Sequence, residues 1–109
     1  MKLKRILIVL LSLFCLIYLV GLAYINSHEV IHAQIYNRYG ISSYSQIDYI
    51  FLSGFTKPDG AEIYKCNDVC KLQHSLNDII GYNIRIIIFN LWALFIVFFI
   101  YRRLYESKD

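Results

Sequence analysis

Apolar positions are concentrated in two long stretches of the chain, separated by a segment of mixed character. No charged residue occurs from Ile6 to Ile25 or from Ile86 to Tyr101. A helix that crosses a bilayer needs about 20 mostly apolar residues. The first stretch meets this by itself, and the second does so if it begins at Asn83 and includes Arg85, whose charged end must then reach the headgroups or a partner between helices. The pattern predicts membrane spans over residues 6–25 and 83–101.

Both helices are expected to continue beyond the lipid. Residues 26–39 contain no proline or glycine, and Gly40 is suited to end a helix, so we predict one helix over residues 4–39. The second helix should begin near Asn67 or Asp68, since either side chain can cap it, and should cover residues 67–105. Two long antiparallel helices result.

The insert between the helices, residues 41–65, has a different pattern. Serine clusters, alternating apolar positions around residues 47–52 and the turn sequence Lys57-Pro-Asp-Gly60 favour extended chain. A short β-hairpin is expected there. The predicted fold is an all-α membrane protein, an antiparallel two-helix transmembrane hairpin with a short extracytoplasmic insert resembling a β-hairpin, forming a single domain of residues 1–109.

Composition and charge support this fold and orient it. Hydrophobic residues make up 58% of the chain and charged residues 17%, which is too apolar for an ordinary soluble domain of this size. Lysines and arginines occur just before the first span and just after the second. Both termini are therefore expected in the cytoplasm and residues 26–83 outside it. The net charge of +3 comes from these flanks, and no basic cluster interleaved with aromatic residues indicates nucleic-acid binding.

A cleaved signal peptide is the alternative for the first apolar stretch. The start Met1-Lys-Leu-Lys-Arg5 is basic, and small residues occur at Gly21 and Ala23. The apolar run is longer than a signal peptide needs, and cleavage after Ala23 would leave the following histidine motif at a frayed terminus. We therefore expect an uncleaved anchor.

The sequence His28-Glu29-Val30-Ile31-His32 carries the clearest chemistry. Two histidines four residues apart lie on one face of a helix and can hold one zinc ion, while Glu29 is placed to act as general base towards a metal-activated water. The motif contains two of the three histidines of the chain and lies on a predicted helix. It predicts a Zn²⁺ site, against the alternative that five residues match by accident.

A hydrolytic zinc site needs a third protein ligand, which the second helix can supply. Aligning the helices antiparallel from their cytoplasmic ends sets His28 opposite Ile79 and His32 opposite Ser75. His74 and Asp78 then arrive at the height of the motif. That height is about 35 Å from the cytoplasmic end, just beyond roughly 30 Å of hydrocarbon, so the site is expected at the outer membrane surface.

The two segments together resemble the gluzincin pattern of zinc metallopeptidases. In that pattern a second helix supplies Asn-Glu-x-x-Ala/Ser-Asp, and its glutamate is a zinc ligand. The corresponding segment here is Asn77-Asp78-Ile79-Ile80-Gly81-Tyr82. The resemblance implies Asp78 as the third ligand, although its carboxylate is shorter, and Tyr82 stands where the final aspartate is expected. It covers about a dozen residues.

Several assignments around this site stay open at the level of sequence. His74 competes with Asp78 as third ligand, and whichever does not bind metal can orient a ligand histidine. Tyr82 and Arg85 are candidates to stabilise a developing oxyanion, but the sequence favours structural anchoring for both. Cys66 and Cys70 could form a disulfide or simply pack together, but with His74 and Asp78 they also form a stripe, one residue in every four, that could bind metal if the thiols are reduced.

The sequence predicts a membrane-anchored, zinc-dependent metallopeptidase that hydrolyses peptide bonds of a peptide or protein substrate at the extracytoplasmic surface. The substrate could add as a strand beside residues 47–53 or 62–65. The alternative is a non-enzymatic two-span protein, structural or accessory, with a structural metal or none. A pore-forming protein fits less well, because polar residues concentrate at one membrane face. The small hairpin favours assembly into a homo-oligomer or larger membrane complex.

Overall fold

Two long helices and a small two-stranded sheet make up the protein. The computed structural model describes residues 2–106. Helix α1 spans Lys2–Arg38, strand β1 Ser43–Asp48, strand β2 Ser53–Pro58, and helix α2 Asp68–Glu106, with one 3-10 turn at Ile63–Lys65. The predicted order of helix, extended insert and helix is confirmed. The molecule is elongated, with extents of 67 × 21 × 16 Å.

The helix ends are formed by the residues that the sequence indicated. Gly40 has a φ of 72°, a left-handed conformation that glycine adopts without steric strain. Its N–H donates to the carbonyl of Asn37. The N–H of Ile41 donates to the carbonyl of Tyr36, which completes a Schellman cap on α1. At the start of α2, the side chain of Asn67 accepts a hydrogen bond of 2.9 Å from the N–H of Cys70. Asn67, rather than Asp68, therefore caps this helix.

The β-hairpin is present, but its turn differs from the predicted one. Strands β1 and β2 pair antiparallel from Ser43 opposite Pro58 to Asp48 opposite Ser53, so residues 49–52 form the turn. The carboxylate of Asp48 stabilises it by accepting the N–H groups of Ile50 and Phe51. The prediction that residues 47–52 are one extended segment is wrong beyond Asp48, because the alternation of apolar residues continues into this turn.

The hairpin folds back along α1 instead of extending away from the helices. The hydroxyl of Tyr18 donates a hydrogen bond of 2.8 Å to the carbonyl of Tyr49. A Cβ atom added to Gly21 would lie 2.8 Å from a methyl group of Leu52. Gly21 thus allows the hairpin tip to approach α1. The tip of the hairpin lies beside residues 18–21, in the C-terminal part of the first apolar stretch.

The antiparallel register of the two helices agrees with the predicted alignment to about one residue. In the half of the helix pair that contains the start of α1 and the end of α2, the indole N–H of Trp92 donates to the carbonyl of Leu13 at 3.3 Å. At the other end, the Oδ1 atom of Asp78 contacts the Nε2 atom of His28. Between them, Gly81 faces α1 so closely that a Cβ atom there would lie 2.6 Å from the hydroxyl of Tyr24. Any larger residue at this crossing would have to displace the side chain of Tyr24 or His28.

A small core closes the far end of the molecule. Ile35 and Ile41 pack against the disulfide that joins Cys66 and Cys70, and the side chain of Cys70 is fully buried. The disulfide, one of the alternatives for this cysteine pair, is therefore present, and it fixes the start of α2 against the end of α1. Both helices are long and apolar enough to cross a membrane, and no part of their most apolar stretches is buried within the chain.

Candidate metal centre

Three potential ligand atoms from the two helices converge on one point. The Oδ1 atom of Asp78 lies 2.8 Å from Nε2 of His32 and 3.2 Å from Nε2 of His28. The two Nε2 atoms are themselves 3.2 Å apart. With metal bonds of the usual length, the ligands of a tetrahedral zinc ion stand about 3.3 Å from one another. The three atoms therefore form a triangle close to one face of such a tetrahedron.

The environment of these atoms leaves one side of the cluster open. The histidine side chains are only 15% and 12% exposed, whereas the side chain of Asp78 is 63% exposed. A closed structural zinc site uses four protein ligands, and a catalytic one keeps a position for water or substrate. Two imidazoles and one carboxylate with an accessible side fit the second kind. No other histidine, cysteine or carboxylate among residues 2–106 joins this group.

Contacts between α2 and His28 fix the distance between Asp78 and the two histidines. The side chain of Asn77 donates a hydrogen bond of 3.2 Å to the carbonyl of His28. A Cβ atom on Gly81 would come within 2.6 Å of Nδ1 of His28. The close crossing at Gly81 and the bond from Asn77 thus bring Asp78 within reach of both histidines.

Glu29 is buried and faces the β-hairpin. It is 4% exposed, and its Oε2 atom accepts a hydrogen bond of 2.6 Å from the hydroxyl of Thr56 on β2. The hydroxyl oxygens of Ser45 and Thr56 are 2.8 Å apart, so Ser45 can donate to Thr56 while Thr56 donates to Glu29. Within residues 2–106 the Oε1 atom of Glu29 forms no hydrogen bond. One carboxylate oxygen is fixed by the hairpin, and the other is free to accept a proton.

His74 contacts the cluster through His32 and does not join it. The Nδ1 atoms of the two rings are 2.6 Å apart, and the ring of His74 stacks between those of His32 and Tyr36. Burial, followed by the neighbouring His32, lowers the pKa of His74 and favours the neutral ring. Burial likewise raises the pKa of Tyr36, with a smaller effect from Asp78. His74 is placed to orient His32.

The first three residues of the cysteine stripe lie next to this cluster. Cys66, Cys70 and His74 have ligand atoms within 4.8 Å of one another. With the disulfide formed, the two sulfurs are not thiolates, and thiolates are the form that binds metal. The two cysteines are therefore part of the packed core in this structure.

Tyr82 and Arg85 do not contact the three converging atoms. Tyr82 is 70% exposed, and it forms no hydrogen bond or ring contact with the part of the chain that the structure describes. Arg85 lines a groove on the side of the cluster nearer the start of α1 and the end of α2.

Neither of the two segments considered for strand addition is a continuous strand, because residues 49–52 form the hairpin turn and residues 63–65 a 3-10 turn. Residues 62–65 belong to a 3-10 turn and cannot serve as a strand, which corrects that prediction. Residues 47–48 lie in β1, and the two-stranded sheet leaves one edge of each strand without a partner strand. Strand β2, which carries Thr56 beside Glu29, therefore has one edge that pairs with no other strand among residues 2–106.

Sequence reasoning missed the hydroxyl pair that holds Glu29. Ser45 and Thr56 are ordinary strand residues, and only the register of the hairpin places them opposite each other. Gly54 was also missed, because it matters only where the sheet meets α1: a Cβ atom there would lie 3.2 Å from Cγ of Glu29. No local signal marks these positions.

Comparisons with protein-family models, with curated proteins and with solved structures found no match to this chain.

Proposed function

We propose that this protein is a membrane-anchored, zinc-dependent metallopeptidase. The convergence of His28, His32 and Asp78 carries the proposal, because these residues come from two separate helices and their ligand atoms are spaced as zinc requires. The gluzincin resemblance supports the choice of Asp78, although the match is short. His74 then has the role of orienting His32.

Each group at the site has a part in hydrolysis under this proposal. A zinc ion held by the three ligands would lower the pKa of a bound water and polarise a carbonyl group. With the metal bound, Glu29 would accept the proton through the carboxylate oxygen that the hairpin leaves free, and would then pass it to the leaving amine. Thr56 keeps the carboxylate in place during both transfers. The open side of the cluster, next to Asp78, admits the substrate.

The membrane position follows from the two apolar helices. With residues 6–25 and 83–101 in the lipid, the basic flanks place both termini in the cytoplasm and the metal cluster at the extracytoplasmic surface. The disulfide is in keeping with an oxidising compartment. Tags fused to the two ends should be accessible only from the cytoplasmic side. Access to either tag from outside would contradict this topology.

The free edge of the hairpin suggests how a peptide is held. A substrate in extended conformation can add to the sheet as a third strand, with its backbone groups paired to the edge. Proline has no N–H to donate, so prolines near the scissile bond should block cleavage. A substrate series in which proline makes no difference would argue against strand addition while leaving the hydrolytic proposal intact.

The competing function is non-enzymatic. The distances in the cluster are also those of ordinary hydrogen bonds, so a structural or accessory protein with a structural metal, or none, could use the same residues. Assembly into a homo-oligomer or a larger membrane complex fits either function, since the described residues bury few side chains.

The change Glu29→Gln tests the enzyme directly. Glutamine keeps the size of the side chain but cannot accept the proton, so zinc content should be unchanged while cleavage of labelled casein falls by about 10²–10⁴-fold. Glu62→Gln is the matched control, because Glu62 accepts the N–H of Ser42 and lies outside the cluster. Equal cleavage by wild type and Glu29→Gln would reject the proposed mechanism.

A further inference from the structure

A groove on the side of the molecule has walls from three elements. It has a volume of about 380 Å³ and lies between the hairpin tip, α1 and α2. Its walls are mainly aromatic and aliphatic, with Phe51 and Leu52 from the tip, Phe14 from α1, and Phe89 and Trp92 from α2. The size is within the range of roughly 300–1,000 Å³ that is usual for small-molecule sites.

One charged residue, Arg85, lines this apolar groove. Its guanidinium forms no hydrogen bond or ion pair with any of residues 2–106. Arg85 is four residues, or about 6 Å along the helix, below Gly81, which contacts Tyr24 near the outer end of the first span. A long arginine side chain at that depth can reach the level of the lipid phosphates.

The depth of the groove decides what kind of anion belongs there. A peptide carboxylate could pair with an arginine at the phosphate level, but it brings no hydrocarbon chain to fill the apolar part of the groove that lies deeper. A phospholipid brings a phosphate already attached to acyl chains at this depth, and arginine can bind phosphate through two parallel hydrogen bonds. Phe14, Phe89 and Trp92 then line the path of an acyl chain below the phosphate.

We propose that the groove is a binding site for one anionic phospholipid of the outer leaflet. The phosphate pairs with Arg85, and an acyl chain lies between the hairpin tip and the two helices. The site rests on the membrane insertion proposed above, but it requires neither zinc nor hydrolysis. A bound lipid there would contact Phe51 and Leu52 and so hold the hairpin tip against α1.

Trp92 makes the proposal measurable, because it is the only tryptophan in the chain and it lines the groove. The full chain is reconstituted in phosphatidylcholine vesicles that contain a small fraction of either brominated phosphatidylglycerol or brominated phosphatidylcholine. Bromine on an acyl chain quenches tryptophan on contact. An arginine near the surface should favour the anionic lipid roughly five-fold. Brominated phosphatidylglycerol should therefore quench Trp92 more strongly at equal lipid fraction.

Two variants separate the site from general attraction to positive charge. Arg85→Gln should abolish the preference, whereas Arg102→Gln removes the same charge at the cytoplasmic end and should keep it. Retained helical circular dichroism shows that each variant is folded. Equal quenching by the two lipids in the wild type, or a preference that survives Arg85→Gln, would overturn the lipid site alone.

Two further outcomes also overturn it and identify the reason. If neither lipid quenches and the emission of Trp92 is that of a water-exposed indole, membrane insertion itself has failed. If neither lipid quenches, the emission is that of a buried indole, and quenching returns on dilution of protein in lipid, a second copy of the chain covers the groove.

Discussion

The Nδ1 atoms of His32 and His74 lie 2.6 Å apart, so one ring must donate a proton to the other. If Nε2 of His32 is to face a metal, its proton must be on Nδ1, and His74 must accept it there. The remaining proton of a neutral His74 is then on Nε2, an atom that is buried without a hydrogen-bond partner in the structure. This contact is compatible with the tautomer of His32 that can bind metal.

His74→Ala should weaken zinc binding without abolishing it. Loss of a residue that orients a metal-binding histidine usually costs about 10–100-fold in affinity. Zinc affinity can be measured by competition with a chromogenic chelator. Complete loss of zinc in His74→Ala, together with retention in Asp78→Ala, would show that His74 is the third ligand and that the assignment of Asp78 is wrong.

Thr56→Val should slow hydrolysis while the zinc content stays constant. The change removes the hydroxyl that donates to Oε2 of Glu29 at 2.6 Å. A hydrogen bond to a charged group contributes about 1.5–3 kcal/mol, which corresponds to at least a ten-fold fall in kcat if it positions the base. Thr56→Ser keeps the hydroxyl and should restore most of the rate. A Thr56→Val protein as active as the wild type would remove the hairpin from the mechanism.

Gly81→Ala should disturb the metal centre although alanine is the better helix former. The added methyl group would lie 2.6 Å from Nδ1 of His28, so the ring or the whole helix must move. Overpacking of this kind costs about 1–3 kcal/mol, and zinc affinity should fall by roughly ten-fold or more. Gly60→Ala is the control, because nothing lies within 4 Å of a Cβ atom there. Equal zinc affinity in both variants would contradict the close crossing.

The helices and their register could be predicted because they depend on local and periodic signals. The lengths of the apolar runs, the glycine at position 40 and the asparagine at position 67 mark where each helix begins and ends. Aligning the basic flanks of the two spans then brought His74 and Asp78 to the motif, within about one residue of the observed pairing. Few alternatives exist for two helices joined by a short insert.

The hairpin turn and the environment of Glu29 could not be predicted in the same way. Proline and glycine made Lys57–Gly60 the stronger turn signal. The hairpin turn is instead at residues 49–52, where the Asp48 carboxylate accepts two backbone N–H groups. The pairing of Ser45 with Thr56 depends on that register, since a slip of one residue turns a strand side chain to the other face. Whether His74 or Asp78 is the third ligand depends on the orientation of the histidine rings, which the spacing in the sequence does not determine.

The metal content of the purified protein tests the central claim most directly. Elemental analysis is carried out in detergent on the wild type, on His28→Ala and on Asp78→Ala, with Cys66→Ser/Cys70→Ser as the control for the cysteine stripe. We predict close to one zinc ion per chain in the wild type and in the cysteine variant, and none in the other two. No zinc in the wild type, or zinc lost only in the cysteine variant, would contradict a metal centre built from the two helices.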